Sequence, residues 1–256
     1  MPEAEVNIGA QIHAIIIKHL EKIEGYEPAH GRSRQDRVSK DRLQGVFASD
    51  PLYSIFGLDS TEYIAASLGG GTITSIHRKI GDLYEESLRE IFRLSLSLAE
   101  EDVQYSAEIA SGDLRLKRSL DCFVPLGKLT NSKKMQFQAL AMEGFRFFGS
   151  KPKVSPIAIG IEVRHCYQSA DSKRAQADEA MAMHCAISGI LPLMLVFCNQ
   201  SNRSILRRYS RLWYVREGME SYNLVKQYTG FNFFEFLAQR KATYRKYVID
   251  ALAKLR

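Results

Sequence analysis

Residues 157–166 read IAIGIEVRHC, and the alternation within them decides how the chain is built. Ile157, Ile159, Ile161 and Val163 fall on one face of a strand of period two. Ala158, Gly160, Glu162 and Arg164 fall on the other. An aliphatic face that anchors in a core therefore backs a face of small residues ending in a carboxylate and a guanidinium. The question is what the small face leaves room for.

The flanking segments supply the rest of a fold. Upstream, DLRLKRSLDCFV (113–124) alternates as a single strand. Its Leu114, Leu116, Leu120, Cys122 and Val124 face one way, and Ser119, Asp121 and Phe123 the other. Before it, residues 75–99 carry Ile80, Leu83, Tyr84, Leu88, Ile91, Leu94 and Leu98 at helical spacing, with Glu85, Glu86 and Glu90 off the stripe. Downstream, 171–188 reads as a helix with Ala177, Met181, His184 and Cys185 inward. ILPLMLVFC (190–198) reads as a strand buried on both faces, too short to cross a bilayer. Helix, strand, strand, helix, strand predicts an α/β protein with a mixed central β-sheet flanked by helices.

The ends differ from this centre. A first helix is expected over Asn7–Ile23, then a polar, basic loop or arm to about Gln44. Short helices and turns follow, with LGGGT (68–72) as a flexible joint. That joint lacks the Lys-Ser/Thr of a phosphate-binding loop, which argues against a nucleotide site. These features divide the chain into a mainly helical region with a basic arm, 1–70, and a core with a helical, basic C-terminal part, 71–256. Residues 127–153 are a polar, then Phe-rich, insertion between the two strands. The phenylalanines of 231–237 read as core.

Composition narrows the function classes. The chain has 256 residues, 45% hydrophobic and 25% charged, as in ordinary globular proteins. No apolar leader opens it, so a cytoplasmic location is expected, with Cys122, Cys166, Cys185 and Cys198 as free thiols. The net charge is +6, clustered at 31–42, 203–211 and 240–247. Clusters with interleaved Tyr and Ser suit a phosphate-lined partner.

Asp121 and Glu162 are the candidate chemistry. Pairing their strands brings two carboxylates together, and such a pair repels unless a cation lies between. Hard Mg²⁺ suits it and keeps positions open for phosphate oxygens and water. Arg164, on the face of Glu162, supplies a cation for a phosphate, and Ala158 and Gly160 would let a substrate backbone approach. His165, Cys166, His184 and Cys185 make a poor zinc set, because neighbours on a strand point to opposite faces.

Asp followed by E-x-R on a strand is the pattern of the PD-(D/E)xK nuclease core. GDLYEES, RSLDCFV, GIEVR followed by ADSKR, and the tail from ILPLMLVFC through KQYTGFNF together resemble the ApaLI-like type II restriction endonucleases. The likeness spans about residues 77–126 and 155–237. It implies a restriction-endonuclease-like core and a Mg²⁺-dependent enzyme, a homodimer that cuts both strands of double-stranded DNA at a short, palindromic site. By that resemblance Asp121 and Glu162 hold the metal, and Glu85 or Glu86 is the family's helix glutamate. The family usually has lysine where Arg164 stands, and arginine does not deprotonate; Lys173 on the next helix is the alternative amine. DNA contacts are expected from the arm (Arg32, Arg34), from the insertion acting as a recognition loop (Lys133, Lys134), and from Arg203, Arg207, Arg208 and Arg211. The competing readings are a non-catalytic DNA-binding protein that keeps a nuclease fold, and a structure-directed repair nuclease.

Overall fold

All residues from Ala158 to Arg164 are buried, on both faces of one strand. The computed structural model describes residues 3–26, 38, 40–111, 114–149, 155–166 and 172–254. In chain order the helices and strands are α1 (Glu3–Glu24), α2 (Lys40–Ala48), α3 (Pro51–Ile55), α4 (Thr61–Ser95), β1 (Tyr105–Ser111), β2 (Leu114–Leu120), β3 (Cys122–Pro125) and α5 (Asn131–Phe147). There follow β4 (Ala158–Arg164), α6 (Ser172–Ile187), β5 (Ile190–Val196), α7 (Arg203–Tyr209), β6 (Tyr214–Glu217), α8 (Met219–Thr229), α9 (Phe233–Ala238) and α10 (Lys241–Ala253).

The main sheet has the order β3-β4-β5-β6 and is mixed. β3 runs antiparallel to β4, with Cys122 opposite Ile161, while β4, β5 and β6 run parallel. The strands β4 and β5 are buried throughout, as near-continuous apolar runs between two helical layers require. Pro192 is tolerated in β5 because β6 pairs only from Leu193 onward, so at Pro192 the strand is still an edge on that side. β1 and β2 form a separate antiparallel pair.

The two faces are filled differently. One packs Ala158, Ile190, Met194 and Val196 against Met181, Ala182 and Cys185 of α6, and against Leu206 and Tyr209 of α7. On the other, α5 comes close to β5 through Gly144: a Cβ there would lie 2.4 Å from Leu191 Cδ1. Phe137 of α5 meets Phe92 and Tyr228 beyond it. Phe231, Phe233 and Phe236 are buried as core, whereas Phe234 is exposed.

Several expectations need correction. The strand expected over 113–124 breaks at Asp121 into β2 and β3. The break shifts the alternation, so Leu120 and Phe123 pack into the same cluster rather than onto opposite faces. The insertion at 127–153 carries α5 rather than a loop, because Phe137, Leu140, Ala141 and Phe145 bury a helical stripe. LGGGT is no joint: it lies inside α4, where Ile64, Leu68, Thr72, Ser75 and Ile76 continue one buried row. That burial offsets the roughly 1 kcal/mol each interior glycine costs a helix. Cys166 and Cys198 are joined in a disulfide just past the ends of β4 and β5; only Cys122 and Cys185 are free, and both are buried.

The chain divides into two compact units, one of Met1–Ile16 with Gly81–Gln239 and one of Ile17–Ile80 with Arg240–Arg256. The expected boundary near residue 70 falls inside α4, which contributes to both. The first unit holds the sheet. The second has its own small core of Leu43, Ile64 and Leu68, with Val38 and Phe47 against it. Its ends are tied where the Lys254 ammonium donates to the Glu24 carbonyl. Among the described residues no helix is long and apolar enough to cross a membrane.

Candidate functional site

Arg164, the last residue of β4, is 7% exposed and surrounded by four carboxylates. Its Nη1 lies 3.1 Å from Asp121 Oδ2 and 3.9 Å from Glu85 Oε1. Its Nη2 bonds to Glu162 Oε1 and lies 3.4 Å from Asp178 Oδ1. Each acid comes from a different element: Glu85 from α4, Asp121 from the break between β2 and β3, Glu162 from β4, Asp178 from α6.

Local structure fixes these positions. Asp121 Oδ2 accepts the Val163 N–H at 2.7 Å, so the acid bonds the backbone of the neighbouring strand. Its own carbonyl accepts from Arg89 Nε of α4 at 2.7 Å. Period two puts Glu162 beside Arg164 on the α6 face. There Asp178 is held at three points: Tyr209 donates its hydroxyl to Oδ2 at 2.8 Å, Arg164 reaches Oδ1, and Trp213 Nε1 donates to the Asp178 carbonyl at 3.2 Å. A cleft of about 540 Å³ opens onto Glu162 and Asp178 and is lined on its other side by Lys117, Arg118 and Ser119 of β2.

Burial pushes the Glu162 carboxyl well above its usual range. Arg164 opposes this, but Asp121, Asp178 and Glu85 add to it. Desolvation and the three neighbouring carboxylates favour the protonated form of Glu162, and the Arg164 guanidinium favours the ionised one. Among the described residues no three histidine, cysteine, aspartate or glutamate side chains form a set placed to hold a metal ion. Carboxylate oxygens such as those of Asp121 and Glu162 are the donor type that hard Mg²⁺ takes. What fills the space between Asp121 and Glu162 is the guanidinium itself.

The residues singled out in the sequence divide accordingly. Asp121, Glu162 and Arg164 come together. Of the neighbouring glutamates, Glu85 is the one that reaches Arg164, and Glu86 is half-buried one position further along α4. Ala158 and Gly160 leave no room for a substrate. Ala158 belongs to the core, and a Cβ on Gly160 would lie 2.7 Å from Leu120 and 3.0 Å from Ile190. The small face is small because Leu120, Ile190 and Cys185 pack onto it.

The expected DNA contacts are spread out. Lys133 donates to the Tyr228 carbonyl at 2.8 Å, near the C-terminus of α8, and Lys134 is half-buried. A cation there also suits the negative end of the helix dipole. Arg203 pairs with Glu217 and Arg208 with Glu179, each at 2.5 Å, while Arg207 and Arg211 are exposed. Arg32, Arg34 and the side chain of Lys173 lie outside the described residues. Cys166 is joined to Cys198 rather than free.

Asp178, Lys117 and Arg118 were missed. The signal for Asp178 was present: Ala175, Asp178, Met181, Ala182 and Cys185 are the buried stripe of α6. An acid at i on an apolar i+3, i+4, i+7 row is a buried charge that needs a partner. Of the four residues expected inward, Met181 and Cys185 are buried, while Ala177 and His184 are half-buried at the edge of that stripe. No family model matches the chain, and no curated protein or solved structure matches it either.

Proposed function

We propose that the protein is a Mg²⁺-dependent DNA endonuclease with a restriction-endonuclease-like core, acting as a type II enzyme on both strands of a short site, as a homodimer. One observation carries this reading. Asp121, Glu162 and Arg164, the D…ExR set, meet at the end of β4 beside a cleft that also presents Lys117 and Arg118. Two acids for a cation, a guanidinium for a phosphate and flanking cations for a polyanion are the parts that phosphodiester hydrolysis needs.

Asp121 and Glu162 would hold the metal, which when bound polarises the scissile phosphate and lowers the pKa of the attacking water. Arg164 would clamp the phosphate and stabilise the charge that develops on it. Its guanidinium stays protonated throughout, so proton removal from water falls to another group. The net charge of +6 supports a polyanionic partner. A palindromic site fits a two-fold dimer, since each protomer then presents the same residues to one strand.

The test is a gel of a large duplex DNA of known sequence incubated with the purified chain, in Mg²⁺ and in EDTA. Discrete bands in Mg²⁺ alone are expected, and Glu162→Ala should abolish them. A Mg²⁺-dependent smear would point instead to a structure-directed or nonspecific nuclease.

A second reading has its own support. Arg164 bridges the two acids a metal would need, as a closed ion-pair network does. A DNA-binding protein that keeps the fold without catalysis would shift DNA on a native gel and leave it intact in Mg²⁺.

A further inference from the structure

The segment expected to carry recognition does not present itself for it. Residues 131–147 are the helix α5, whose stripe is buried, and Lys133 is tied to the Tyr228 carbonyl. The pair of β1 and β2 offers what α5 does not. Its register sets Ser106 opposite Ser119 and Glu108 opposite Lys117. Period two puts Arg115 on the same face, and all of these residues are exposed. The other face is anchored, with Tyr105, Ile109 and Leu120 packed into the cluster that holds Met181 and Cys185 of α6. Among the described residues, Arg115, Lys117 and Arg118 have no acid at ion-pair distance, unlike Arg203 and Arg208.

Such a face suits base edges better than a bare phosphate backbone. Arginine and lysine donate to guanine, glutamate accepts from the cytosine amine, and serine bonds either kind of edge. Glu108 counts against a purely phosphate-binding role, since a carboxylate and a phosphate repel. Strands about 4.8 Å apart fit a major groove about 12 Å wide, which admits a two-stranded ribbon. The right-handed twist, largest in two-stranded ribbons, follows the turn of the groove. The ribbon also runs into the site. Consecutive residues Lys117, Arg118 and Ser119 line the cleft that reaches Glu162, and Asp121 directly follows the last residue of β2.

We propose that the exposed face of β1 and β2 is the sequence-reading element, with Glu108, Arg115 and Lys117 contacting base edges in the major groove of duplex DNA. The choice of duplex DNA as partner rests on the nuclease reading, which the ribbon deepens by naming what sets the cleavage site. Arg118, on the cleft side, contacts the backbone phosphate.

The test reads binding rather than cleavage. The full chain is mixed with short duplexes randomised at their centre, in EDTA and in parallel in Ca²⁺, and the bound fraction is sequenced over several rounds. Wild type should enrich one short sequence. Arg115→Ala and Lys117→Ala should each weaken binding to that sequence about tenfold and lose the preference at one base pair. Glu108→Gln should lose a preference at another position, while binding to a mixed-sequence duplex tightens because one repulsive charge is gone. Lys226→Ala, which removes an exposed cation from α8, should leave the enriched sequence unchanged. All of these are surface substitutions, so the fold is expected to persist.

If the ribbon variants enrich the wild-type sequence and bind uniformly more weakly, the ribbon touches phosphates only and the proposal is wrong. Enrichment from a parallel pool of RNA hairpins but not from duplex DNA overturns it too, as does enrichment from neither. The enriched duplex is then incubated with wild type in Mg²⁺. A shifted preference in the variants without cleavage defeats the nuclease reading and leaves the ribbon assignment standing. Cleavage at a preferred site that the ribbon variants do not alter does the reverse.

Discussion

The two faces of the β4–β5 pair are buried equally and by opposite means. Toward α5, Leu191 packs onto Gly144, and hydrocarbon closes the interface. Toward α6, the core begins as hydrocarbon at Ala158 and Ile190 but ends in Glu162, Arg164 and Asp178. The apolar face gains stability from contact that no change of pH alters. The charged end incurs desolvation and recovers it only while every partner is present. A network of that kind is a poor way to stabilise a strand end.

Removing Arg164 should produce the largest effect. Arg164→Met leaves Glu162, Asp178 and Asp121 without their shared cation, and about 3–5 kcal/mol of stability is expected to be lost at neutral pH. Denaturant melts measure it. The loss should shrink in acid, where the carboxyls take protons instead of needing the guanidinium. An equal loss at all pH values would mean that Arg164 matters through packing, and the contrast between the faces would fall.

Gly144→Ala probes the opposite face and should cost less, about 1–3 kcal/mol, the usual penalty for overpacking. The added methyl must displace Leu191, which is fully buried and has little space to yield. This loss should be the same from acid to neutral pH, since hydrocarbon is all that is disturbed. A pH-dependent loss here would show that the two faces are coupled through the strands.

How far the sequence could be read follows the same division. Where hydrocarbon decides, the pattern came close: Ala158–Val163 and ILPLMLV are buried strand, though Ile157 is exposed ahead of it, and the stripe of 75–99 lies in α4 as far as Ser95. Glu162 and Arg164 share a face because period-two alternation is rigid, and Asp121 joins them from the break between β2 and β3. The pattern failed where one residue breaks the phase. At Asp121 the acid bonds the backbone of β4 and ends β2, and nothing in an alternating string announces such a bond. It failed again where glycines sit in a helix held by burial, at 69–71. Asp178 was the costliest omission. A lone acid on an apolar row looks like an error in the row until its partners, Arg164 and Tyr209, arrive from distant segments.

The smallest effect, and the most specific, is the pH slope of Glu162. Its carboxyl in the folded chain is raised well above 4.5, its ordinary value, by burial first and by Asp121, Asp178 and Glu85 after that. A raised pKa means the folded state binds this proton more tightly than the unfolded state does. The stabilisation is therefore complete below about pH 4.5 and drains away as pH rises toward and through the folded value. One proton limits the slope to about 1.4 kcal/mol per pH unit. Glu162→Gln copies the protonated acid in shape and cannot lose that proton. Its stability, from urea melts between pH 4.5 and pH 8, should lack this downward component, so wild type and variant diverge as pH rises. Parallel curves would mean that Arg164 keeps Glu162 ionised after all, and that the charge on this face is balanced within the folded chain.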